Sequence, residues 1–376
     1  MDRVAFYGVL IASLYYADAT INCGTCLQPP DYVSSFIKLK AQSTQSEAII
    51  LHNIAEVPIK VDVQVKPISG NDTNYFFPGL GSSQQDDDKQ GVYGGVVYKY
   101  NETAVKLYVP NRNDGSGDGS VIFTGYNNAW VGPKVQKEDA AEVRVRVWTA
   151  CKFPTPDYES NWIPMKIKNG TDSFREVVHG LGYVPNYVTV QVWNNGTDWY
   201  ADGIASGMTP NNVNKLTSWG GVVYAFDDNH VRIWVPGFDT GSMFSVADGW
   251  GQGSQETWSE GLVKVKALSG DNNGFSFPAF GAVQNTDPHD KFGGVVYSYS
   301  SHGIRVWHPI VPGAGNTALS STYHSRPSQY IAIYRYHIQY VKFLVNNFLT
   351  IDIGTRLNFY NRKISHSFVN VSKVFK

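Results

Sequence analysis

The pentapeptide GGVVY is written three times in this chain, at Gly94–Tyr98, Gly220–Tyr224 and Gly293–Tyr297, at intervals of 126 and then 73 residues. A recurring five-residue word constrains the fold more than any composition figure, because it implies one supersecondary unit used repeatedly. The surrounding sequence recurs too. Cys26 opens CLQPPDYVSSFIKLK and Cys151 opens CKFPTPDYESNWIPMKIK, with Pro30 and Pro156 also 126 residues apart. ILHNIAEVPIKVDVQV aligns with VVHGLGYVPNYVTVQV, which pairs His52 with His179. KLYVP at Lys106 matches RIWVP at Arg232. FTGYNNAW, ending at Trp130, loosely matches SVADGW, ending at Trp250. EVRVRVW closes one unit and GLVKVKA the next. The third copy starts midway: VKVKALSGDNNGFSFPAFG from Val263 matches VQVKPISGNDTNYFFPGLG from Val63, and the match runs on through RVWHP at Arg305. The short second interval follows, with VKVKA serving both as the last strand of unit two and as the opening of unit three.

The local pattern is that of strands. In GGVVYAFDDNHVRIWVP, Val222, Tyr224 and Phe226 share one face and Val231, Ile233 and Val235 another, while Arg232 and Trp234 point away. Asp227 to His230 predicts a hairpin turn, as do Asn101 to Ala104 and Ser300 to Gly303. Six or seven such strands in about 120 residues predict an all-β protein of tandem antiparallel β-sandwich repeats, two complete and a third partial; a small barrel is the alternative. The boundaries are 20–150 for repeat one, 151–267 for repeat two and 263–312 for the partial repeat. The Gly-Gly pair predicts either positive φ or close backbone approach. It does not predict a phosphate cradle, since no helix pattern follows.

Residues 1–19 carry Arg3, an apolar run from Val4 to Tyr16 and Ala17-Asp18-Ala19, which together predict a cleaved secretory signal peptide. The chain is expected to be extracellular, without a membrane span. In that setting Asn71, Asn101, Asn169 and Asn195 are glycosylation acceptors in turn-like contexts, with Asn370 a further sequon. Cys23, Cys26 and Cys151 form an odd set, suited to a local disulfide or to cross-linking into a homo-oligomer. Residues 313–376 break with all this. From Tyr323 on there are eight Lys or Arg against one acidic residue, Asp352. The stretch reads as a basic matrix-binding extension or as translated non-coding sequence, and the second reading accounts for its following a repeat that breaks off.

A net charge of −1 gives no cause to expect nucleic acid or an anionic membrane as partner. No nucleophile elbow, zinc-protease motif, phosphate loop or dinucleotide fingerprint is present, so neither an enzyme nor a cofactor is expected. His52 and His179, each followed by Val-Pro at the same spacing, are expected to hydrogen-bond a turn. Asp86–Asp88 and the loop at Asn113 have calcium-type oxygens but no acidic counterpart in unit two, and solvated loops are the expectation. The candidate binding feature is a cation two residues before an aromatic in every copy: Lys106 with Tyr108, Arg232 with Trp234, Arg305 with Trp307. These pairs are expected to face outward and to offer a stacking platform for sugar rings, extended by Trp130 and Trp250; the competing reading is a structural cation–π or stacking pair that covers sheet surface, or a second core layer.

HGLGYVPNYVTVQV, GGVVYAFDDNHVRIWVP and ADGW, taken together, resemble tandem modules of secreted proteins of aquatic invertebrates and, in outline, the H-type lectin domain. The resemblance covers about Cys26 to Val311. It implies a small six-stranded sandwich that binds N-acetylgalactosamine-type sugars as a trimer. The expected function is therefore multivalent, non-enzymatic binding in extracellular adhesion or matrix, to glycans or matrix proteins, with a soluble host-defence lectin as the alternative.

Overall fold

The computed structural model describes residues 27–69, 72–80, 93–111, 119–125, 130–132, 136–168, 170–204, 219–237, 241–246, 249–253, 256–268, 292–309, 315–316 and 350–351. Within them the chain is all-β. The first block contains β1 (Tyr32–Val33), β2 (Ile37–Lys40), β3 (Glu47–Leu51), β4 (Lys60–Pro67), β5 (Phe77–Pro78), β6 (Val97–Tyr100), β7 (Ala104–Tyr108), β8 (Ile122–Phe123), β9 (Trp130–Val131), β10 (Lys137–Glu138) and β11 (Ala140–Trp148). One sheet has the order β1–β11–β4–β5, with β2 also on β11; facing it is β3–β7–β6. Alternate residues of both sheets meet in one core. Val61, Val63, Val65, Val143, Val145 and Val147 come from the first sheet, Ile50, Val105 and Leu107 from the second. This is the burial that period-2 sequences dictate in a sandwich.

The second block follows with β12 (Tyr158–Glu159), β13 (Ile163–Lys166), β14 (Phe174–Val178), β15 (Tyr187–Trp193), β16 (Tyr200–Asp202), β17 (Trp219–Gly220), β18 (Val223–Phe226), β19 (His230–Trp234), β20 (Gly241–Ser242), β21 (Phe244–Val246), β22 (Glu256–Trp258) and β23 (Glu260–Leu268). Its sheets parallel those of the first block: β12 and β13 on β23, then β15 and β16; opposite them, β14–β19–β18. The registers agree as well. Val145 faces Val63 in the first block, as Val265 faces Val190 in the second. VKVKA thus lies in the strand that closes the second sandwich.

The last elements are β24 (Phe292–Gly293), β25 (Val296–Tyr299), β26 (Gly303–Pro309), β27 (Gly315–Asn316) and β28 (Thr350–Ile351). β25 and β26 form the hairpin expected around Ser300. The signal-peptide stretch, Cys23, Cys26, Asn71, Asn169, Asn370, Asp86–Asp88, the Asn113 loop, residues 269–291 of the third copy and most of 313–376 lie outside the described residues. No helix among the described residues is long and apolar enough to cross a membrane.

Each GGVVY turns out to use its glycines in both of the ways the sequence allowed. The second glycine is left-handed in every copy, with φ of 113° at Gly95, 124° at Gly221 and 95° at Gly294. The first lies against a parallel partner: Gly94 on Ser120, Gly220 on Ser242, Gly293 on Asn316. A Cβ at Gly94 would sit 2.7 Å from the Ser120 carbonyl oxygen, and one at Gly220 would collide with that of Ser242.

Candidate functional site

The sandwiches are joined edge to edge, and the joints position the site. Tyr200 in β16 pairs with Tyr100 in β6, so one sheet runs continuously from the second block into the first. In the same way Phe76, just before β5, pairs with Tyr299 in β25; Phe76 N–H donates to the Tyr299 carbonyl at 2.7 Å and the reverse bond is 2.9 Å. Both seams repeat one side-chain bond. Gln191 Nε2 donates to the Tyr100 hydroxyl at 3.1 Å, and Gln64 Nε2 to that of Tyr299 at 2.6 Å.

These seams correct the candidate platform. Tyr108, Trp234 and Trp307 are 1%, 8% and 1% exposed, so none offers an open ring face to a sugar. Trp307 enters the core of the first sandwich, 5.9 Å from the Phe77 ring. Trp234 packs on Phe174, and Tyr108 belongs to the core of the second sandwich. The cations are committed as well: Lys106 to Glu47 at 2.7 Å, Arg232 to Glu176 at 2.6 Å, and Arg305 to Asp72 at 2.5 Å. Lys106 does lie over the Tyr108 ring, at 5.1 Å. The three rings are thus buried and the outward direction does not hold, because neighbouring elements cover the faces that alternation assigns to solvent. Trp250 is also buried, 5.5 Å from Tyr93; the Trp130 side chain is outside the described residues.

A different aromatic surface is exposed, at the same place on both large sheets. Between β1 and β2 the chain leaves β11 for a few residues. The Ser34 hydroxyl takes the Val145 N–H at 2.9 Å, and Phe36 is delivered to the outer face of the sheet. Between β12 and β13, Ser160 takes the Val265 N–H at 2.9 Å and Trp162 is delivered likewise. On the first sheet Phe36 stacks on Phe76 at 6.4 Å. Arg144 lies over both rings, at 4.7 and 5.6 Å, and Lys66 over Phe36 at 4.6 Å. Arg305 lies over Tyr75 at 3.7 Å. On the second sheet Trp193 stacks on Tyr200 at 5.9 Å, and Trp162 touches both, at 5.7 and 6.2 Å. Lys264 lies over Trp162 at 4.9 Å and Lys99 over Trp199 at 4.4 Å. Phe36, Tyr75, Phe76, Trp162, Trp193, Trp199 and Tyr200 are all partly exposed. Sequence reasoning missed this surface, although a signal was present. Phe36 and Trp162 each stand four residues after the repeated Pro-Asp-Tyr, and Tyr75-Phe76 and Trp199-Tyr200 begin four residues after Asn71 and Asn195.

The carboxylates near the second surface are engaged. Glu159 binds Lys264 at 2.9 Å and Glu256 binds Lys99 at 2.5 Å. Asp202 accepts from the Tyr98 and Tyr100 hydroxyls at 2.6 and 2.7 Å, and Asp198 from the Asn101 amide at 2.8 Å. Burial lowers the affinity of Lys99 for its proton and raises that of Tyr200. Burial also lowers the proton affinity of Arg144. Among the described residues no group of three or more His, Cys, Asp or Glu could hold a metal ion.

Of the expected acceptors, Asn195 is exposed in the turn between β15 and β16. Asn101 is a correction: it is 6% exposed, its amide donates to Asp198, and its Oδ1 accepts from Thr103 and Ala104 N–H. A glycan has neither room nor a spare amide hydrogen bond there. Cys151 is exposed. His52 and His179 do what the sequence implied. Nδ1 accepts from the N–H two residues on, Ile54 or Leu181, and Nε2 reaches the carbonyl of Asn101 or Asp227.

No family model matches the chain. No curated protein matches it either.

Proposed function

We propose that the chain is a secreted, glycosylated, non-enzymatic protein of tandem modules that acts by multivalent binding in extracellular adhesion or matrix, through the seam-side aromatic surfaces. The observation that carries the reading is their duplication. Rings and cations recur at one position of two sheets, which suits linked weak contacts that gain avidity together. The engaged carboxylates support the non-enzymatic part, since no pair in the cluster is left to act as acid and base. Extracellular glycans or matrix proteins are the partners. Half-exposed Trp and Tyr rings beside Lys favour a second reading, a soluble carbohydrate-binding lectin, because the C–H face of a sugar stacks on such rings. A glycan array with the full chain separates the two: array binding that Trp193→Ala or Phe76→Ala weakens at least tenfold establishes the lectin reading. Binding to matrix proteins but to no sugar establishes the adhesive one, and binding to neither, or binding that both substitutions leave intact, refutes the surface.

A further inference from the structure

At one buried position a difference between the two sheets uncovers a charge. In the first sheet Arg146 faces Asp62 across the β11–β4 pairing, and the guanidinium holds Asp62 Oδ2 twice, at 2.8 and 2.6 Å. The same register place in the second sheet is Lys266 facing Thr189. Thr189 is 8% exposed and cannot neutralise a cation. The two carboxylates that act on Lys266 electrostatically, Glu159 and Asp202, are committed to Lys264 and to two tyrosine hydroxyls. The Lys266 ammonium thus makes no hydrogen bond or ion pair among the described residues. It is partly buried, and burial lowers its proton affinity, with Lys264 adding repulsion. A lysine in that state gains from any anion that reaches it.

Lys266 lies on the ring-bearing face. It is two residues along β23 from Lys264, which covers Trp162, so both lysines share a side of the strand. We propose that Lys266 makes the second aromatic surface a site for sugars carrying an acidic group, the carboxylate or sulfate pairing with Lys266 while the pyranose ring rests on Trp193 and Tyr200. This rests on the binding role given to that surface above. Asp62 fills the corresponding place from within on the first sheet, so Lys266 has no unpaired counterpart at that register position there.

The test titrates the full chain at low ionic strength with methyl glucuronide, a 6-O-sulfated methyl glucoside and the neutral methyl glucoside. Ligand-observed NMR serves as the readout. The charged sugars should bind at least tenfold more tightly than the neutral one. Lys266→Met should erase that preference. Thr189→Asp, which copies the internal pair of the first sheet and leaves Lys266 in place, should erase it too, without loss of thermal stability. Trp193→Ala should weaken all three sugars. Equal binding of charged and neutral sugars, still sensitive to Trp193→Ala, would overturn the acidic preference and leave the ring surface standing. A preference for the charged sugars that survives both Lys266→Met and Thr189→Asp would also overturn it. Failure of every sugar to bind would remove both.

Discussion

His52 shows how one side chain can tie a turn and set a pH limit. Its Nδ1 accepts from Ile54 N–H, so the proton sits on Nε2, which donates to the Asn101 carbonyl at 3.1 Å. Burial is the main influence on the ring and lowers its pKa below the ordinary 6.5. Protonation then favours the unfolded chain, where the ring is solvated. The contribution of His52 to stability is therefore complete above about pH 6.5 and is lost as pH falls through the lowered folded value. Thermal unfolding should occur at lower temperature at pH 5 than at pH 7.5, and His52→Gln should flatten that difference. Glycine makes the opposite demand, for the absence of a side chain. Gly220→Ala should cost about 1–3 kcal/mol in urea unfolding, because the added methyl meets the Ser242 carbonyl. Both roles were legible in the sequence, since each is a local matter of backbone and neighbours. The direction of Tyr108, Trp234 and Trp307 was not. Alternation tells which residues share a face, but it does not tell which face another sandwich will cover.

Hairpins are the elements the sequence described best. Asn101, Asp227 and Ser300 occupy the same place in the three copies, and each side-chain oxygen accepts N–H groups two and three residues ahead. Short polar residues at a turn do this because their reach matches the backbone spacing. Asp227→Ala should cost about 1 kcal/mol of stability in denaturant unfolding. The Asn101 turn has a second consequence. When the chain is made in a glycosylating cell, peptide mapping should find Asn195 modified and Asn101 bare, because the Asn101 amide is spent on Asp198. The serine-bridged breaks at Ser34 and Ser160 were not legible as elements. A serine hydroxyl replaces a backbone acceptor there, and no periodicity marks the substitution. Yet those breaks deliver Phe36 and Trp162, so the aromatic surface went unseen with them.

At the scale of the molecule, the third copy is not a free appendage. The β25–β26 hairpin lends Val296 and Trp307 to the core of the first sandwich and pairs Tyr299 with Phe76. Arg305 adds an ion pair to Asp72. Tyr299 and Phe76, like Arg305 and Asp72, lie more than 200 residues apart in sequence, and long-range pairing of that kind leaves no local signature, which is why the joined architecture was not read from the chain. Removing a buried tryptophan costs about 3–5 kcal/mol where the site cannot collapse. Trp307→Ala should therefore destabilise the first sandwich although the residue belongs to the third copy. Native-state hydrogen exchange reads this directly. Amides of β4 and β11 should lose protection, while those of β15 and β23, whose core contains no residue from the hairpin, should keep it. Equal loss in both sets would mean that the continuous sheet across Tyr100 and Tyr200 fuses the two sandwiches into one cooperative unit. Loss in neither would mean that the hairpin docks without contributing to the core it enters.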